Sequence, residues 1–97
     1  MDEPVFNYAA LLGKLKIDLG ITATAFDDRL TDRLKVAVER IGGMGITLTN
    51  SEGDEDLVLM YAAYLWRSRV TGAPMGRMLQ LALNNRLFGQ KAREATT

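Results

Sequence analysis

The 97 residues include no cysteine and no histidine. Without cysteine there are no disulfides, thiolate nucleophiles, iron–sulfur clusters or cysteine-ligated zinc. Without histidine the chain lacks the commonest general base and the commonest transition-metal ligand. Proline occurs twice, against 47% apolar and 25% charged residues, which excludes a disordered or collagen-like chain. The longest apolar run, Leu57 to Trp66, is ten residues, whereas a membrane span needs about 20. Met1-Asp2-Glu3-Pro4 is acidic and leads into no apolar run of signal-peptide length, so synthesis in a cytoplasm is expected. The length fits one domain, residues 1–97, with loose ends expected at about 1–6 and 89–97.

Net charge is zero but unevenly spread. Residues 1–66 hold eleven acids and six bases. Residues 67–97 hold six bases (Arg67, Arg69, Arg77, Arg86, Lys91 and Arg93) and one acid, Glu94. One end is therefore attractive to the opposite end of a second copy, or to a polyanion. The plainer reading is clustering on a solvated surface.

The apolar spacing predicts a small all-α domain of four helices, near 7–19, 24–41, 53–70 and 74–88. In the first, Tyr8, Leu11, Leu12, Leu15 and Leu19 share a face, and Gly20 stops it. In the second, Thr24 and Asp27 approximate a capping box ahead of the stripe Phe26, Leu30, Leu34, Ala37 and Ile41. Gly42 and Gly43 end it, and residues 44–49 read as an extended connector or one short strand. The third helix opens on Glu52, Asp54, Glu55 and Asp56, acids that suit a helix N-terminus. Pro74 reads as the first residue of the fourth helix, which carries Met75, Met78, Leu79, Ala82, Leu83 and Leu87 and fades after Phe88 and Gly89.

From Leu57 to Trp66 the third helix is apolar in every direction, so it must be surrounded. Three short helices cover about two-thirds of a helix circumference, which leaves a side for another subunit. Leu81 and Phe88, seven residues apart and off the Leu79/Ala82 face, repeat the pattern on the fourth helix. The alternative is that both helices form the core of a compact bundle.

Candidate chemistry is sparse. Aligning Gly53 as the sixth position of a calcium loop puts Leu48 at the first, so the acidic group fails as an EF-hand. Gly42-Gly43-Met44-Gly45 lacks the Lys-Ser/Thr ending of a phosphate loop and follows a helix. Ser51 and Ser68 have no histidine partner. No catalytic, cofactor or metal residue is assigned, and the chain is not expected to be an enzyme. Arg67, Arg69, Arg86, Lys91 and Arg93 could follow a phosphate backbone, with no helix-turn-helix, zinc-finger or aromatic stacking set to read bases.

The series Leu12-Gly-Lys-Leu-Lys-Ile-Asp-Leu-Gly20, Met60-Tyr-Ala-Ala-Tyr-Leu-Trp-Arg67, Pro74-Met-Gly-Arg-Met-Leu79 and Leu83-Asn-Asn-Arg-Leu-Phe88 resembles the head–tail connector (adaptor) family of long-tailed bacteriophages and prophages. The match in order and separation runs from about Tyr8 to Arg93. The resemblance implies a homo-oligomeric ring in the virion, at the head–tail junction. Its partners would be the portal and tail-side connector proteins, with double-stranded DNA passing through a channel. The connector between the second and third helices is short for that family, which carries a longer channel-facing loop at this level. The rival functions are a small DNA-binding or packaging accessory protein without sequence specificity, and a regulatory adaptor for a host protein.

A ring needs two different surfaces to meet. The charge split suggests an acidic one around Asp54, Glu55 and Asp56 and a basic one around Arg77, Arg86 and Arg93. Trp66, Leu81 or Phe88 would lie between them.

Overall fold

A computed structural model describes residues 6–95. Four helices occupy them: α1 (Tyr8–Leu19), α2 (Asp27–Gly43), α3 (Glu52–Thr71) and α4 (Arg77–Ala95), with no strand among the described residues. The all-α expectation holds. Of the expected loose ends, 1–5 and 96–97 lie outside the described residues, and Phe6 is buried in the core.

Local chemistry accounts for most boundaries. Asn7 caps α1 by accepting a bond from Ala10 N at 3.1 Å, and Ser51 caps α3 through Asp54 N at 3.2 Å. Gly20 and Gly72 close α1 and α3 in the left-handed conformation, φ 70° and 65°, which a side chain would strain. The expected capping box of α2 does not form. The helix begins at Asp27 behind Phe26, which makes no side-chain cap, and the Asp27 carboxylate pairs with Lys16 at 2.8 Å. Phe26 instead packs edge-on against Trp66, ring centroids 5.5 Å apart.

α4 differs at both ends from the sequence reading. It begins at Arg77, leaving Pro74 in the non-helical link from Gly72 to Gly76. It also runs through Gly89 to Ala95. An interior glycine costs a helix about 1 kcal/mol, and Gln90 supplies a tertiary tie just beyond it. The Gln90 amide donates to Gly45 O at 2.8 Å and accepts from Thr47 N at 2.7 Å.

α3 is the central element, packed against α2 most extensively and against α1 and α4 as well. Leu11, Leu15, Leu30, Leu34, Ala37, Ile41, Val58 and Leu83 interlock in one core cluster. Ile46 and Leu48 point into the same cluster, so the alternation in 44–49 is real although the segment is not a strand. Its backbone is held by side chains of α3 and α4 instead of a neighbouring strand.

Candidate functional site

The acidic start of α3 and the basic half of α4 meet, but inside one chain. Arg86 lies on the inner side of α4, and its Nε and Nη2 reach the two oxygens of Asp54 at 2.7 and 3.1 Å. This forked pairing matches the planar guanidinium to the carboxylate. Thr49 adds its backbone N–H and its hydroxyl to Asp54, at 2.7 and 2.9 Å. Arg86 Nη2 also donates to Thr47 O at 2.7 Å, and Nη1 to Gln90 at 3.2 Å. Asp54 is 3% exposed. Burial alone pushes its carboxyl up; the bonds from Arg86 and Thr49 outweigh this and hold its pKa below the ordinary carboxylate value. The bond to Asp54 raises the Arg86 pKa in turn. The result is a clasp joining α3, α4 and the 44–49 connector.

This corrects the expected placement of both residues on surfaces of separate subunits. A carboxylate beside the helix start, near a well-placed arginine, finds its partner internally. Trp66 is corrected in the same way. It is buried, with Phe26 on one side and the Arg69 guanidinium 3.6 Å from the ring centroid, and Arg69 also donates to Trp66 O. The apolar belt of α3 is thus mostly covered within one chain, as in the compact-bundle alternative.

The remaining expected residues lie at the surface or its edge. Glu55 pairs with Lys14 of α1 at 3.2 Å, a half-exposed contact of small energetic weight. Asp56, Arg77 and Arg93 are exposed. Leu81 is 45% exposed and Phe88 67%, both facing away from the core that Leu79 and Leu83 fill. Met78, 74% exposed, completes this outer apolar row and was missed. Its spacing of three from Leu81 was the available signal, obscured because Met78 also reads as part of the inner stripe. Ile17 and Val70 are further exposed apolar side chains that the spacing did not single out.

Beside the α4 row lies an open groove of about 650 Å³. Its floor is the side of α3 carrying Leu59, Met60, Ala63 and Tyr64, between Asp18 of α1 and the start of α4 at Gly76, Met78 and Leu79. Asp56 stands at one end of that α3 face and Arg67 at the other. Among the described residues no three His, Cys, Asp or Glu side chains are grouped to share a metal ion, and no helix is long and apolar enough to cross a membrane. No family model, curated protein or solved structure matches the chain.

Proposed function

We propose that this chain is a structural subunit of a phage or prophage head–tail connector. In this reading it forms a homo-oligomeric ring between the portal and tail-side proteins, in the virion, and lets double-stranded DNA pass without reading its sequence or catalysing a reaction. The observation that carries the proposal is the outer face of α4. Met78, Leu81 and Phe88 stand in solvent on a chain whose other large apolar side chains are mostly packed away. Exposed apolar rows of this kind mark contact surfaces. The segments that resemble the connector family include this helix and the adjoining side of α3. The clasp at Asp54 and Arg86 fixes the orientation of α4, so a partner would meet a preorganised surface.

A DNA-binding accessory role is the second reading, supported by the exposed bases Arg67, Arg77 and Lys91. Arg86 is engaged internally with Asp54 and Arg69 with Trp66, which thins a phosphate-following surface. Particles produced with Phe88→Glu test the connector reading: filled heads lacking tails are expected. Normal yields of tailed, infectious particles that lack this chain would overturn it. Tight DNA binding that collapses between low and moderate salt would favour the accessory role instead.

A further inference from the structure

The outer row of α4 has a regular period. Met78, Leu81, Asn85, Phe88 and Ala92 follow one another at alternating steps of three and four, the seam of a helix built to pack along another helix. All five are exposed. Arg77, Asn84 and Lys91 flank the seam on one side, with Ala82 and Gly89 on the other.

Pairing of this seam with itself is disfavoured by its own charges. In an antiparallel pair centred on Asn84, Arg77 would face Lys91 of the second copy, like against like. A parallel pair would set the same bases against the uncharged flank and gain no ion pair. The groove on α3 offers what the seam lacks. Its floor is apolar and its rim carries Asp18 and Asp56 against the single base Arg67. Asp56 to Arg67 spans roughly 16 Å at 1.5 Å per residue, and Leu81 to Phe88 spans roughly 10 Å, so the two large side chains fit along it. Met78 belongs to both the seam and the groove lining. The two surfaces are therefore adjacent on one chain, yet the seam faces away from its own core and leaves its own groove open.

We infer that the groove of one copy receives the outer seam of α4 from a second copy, Phe88 and Leu81 lying on Met60, Ala63 and Tyr64 while the basic flank meets Asp18 and Asp56. The contact is heterologous, since each copy offers a seam to one neighbour and a groove to another, and such contacts propagate to a ring or a filament. The inference deepens the connector reading and rests on it in taking a second copy as occupant.

The absence of cysteine permits a direct test. Phe88→Cys and Met60→Cys are introduced in separate full-length chains, their fold checked by circular dichroism, and the two are mixed at millimolar concentration with a short bismaleimide. A two-chain product several-fold more abundant in the mixture than with either variant alone is expected. No excess in the mixture, or equal cross-linking by Phe88→Cys alone, overturns the pairing. Adding Arg77→Glu with Lys91→Glu to the seam chain should cut the product several-fold, and Asp18→Lys with Asp56→Lys on the groove chain should restore it. Failure of that rescue overturns the choice of occupant. Oligomers seen by light scattering without the mixed product remove the groove and leave the ring. The mixed product, with tails joining normally in particles that lack the chain, removes the connector and leaves the groove.

Discussion

Replacing Arg86 by alanine strips a buried carboxylate of its charge partner without touching the apolar core. Asp54 loses two hydrogen bonds from the guanidinium and keeps the two from Thr49, while Thr47 O and Gln90 each lose a donor. Breaking a buried pair in this way costs about 3–5 kcal/mol. The Arg86 side chain is 19% exposed, so water can enter the vacated space and the expected loss lies near the lower end, about 3 kcal/mol. For a chain of this size that corresponds to a fall in Tm of roughly 12–24 °C. The loss also depends on pH. The folded pKa of Asp54 lies below its ordinary value of 3.8, so the stabilisation is fully present above that value and disappears as pH falls through the folded one. Urea denaturation followed by circular dichroism at pH 7 and pH 3 should therefore show a gap between wild type and Arg86→Ala that is smaller at pH 3 than at pH 7. Arg86→Lys, which keeps the charge but loses the fork, should fall between them. A loss below about 1 kcal/mol at pH 7, or one that is constant with pH, would refute the clasp as a source of stability.

Three further outcomes follow from packing and backbone geometry. Leu34→Ala, at a fully buried site where α2 enters the core, should cost about 2–5 kcal/mol by chemical denaturation, and Leu65→Ala, also buried, should fall in the same range. Gly72→Ala should cost roughly 1–2 kcal/mol through the left-handed backbone alone, since an added Cβ there meets no atom within 4 Å; an unchanged Tm would show that the turn is not held in that conformation. Phe88→Ala should alter stability by less than about 0.5 kcal/mol, as expected of an exposed site, while reducing self-association in sedimentation equilibrium; a large loss of stability would place Phe88 in the core.

The four helices were legible because their signals are local. Apolar side chains recur at helical spacing in Leu30, Leu34, Ala37 and Ile41, and Gly20 stops α1 as its backbone freedom allows. The misplaced ends of α2 and α4 have distant causes. Phe26 displaces the Thr24 cap by packing on Trp66, forty residues along the chain, and Gln90 holds the last turns of α4 through Gly45 and Thr47.

The candidate site divides along the same line. Composition alone established that no histidine or cysteine chemistry is available, and the seven-residue step from Leu81 to Phe88 already marked an outer face on α4. The charge asymmetry was equally visible, but its use was not. Asp54 and Arg86 are 32 residues apart, and only the antiparallel return of α4 along α3 brings them within 2.7 Å. Likewise an all-apolar stretch such as Leu57–Trp66 is consistent with either a subunit interface or a core, because periodicity shows how many sides of a helix are apolar and not what covers them. Tertiary packing decided that most of α3 is covered from within and that, apart from single exposed side chains such as Ile17 and Val70, a row of uncovered apolar side chains runs along α4 beside the groove.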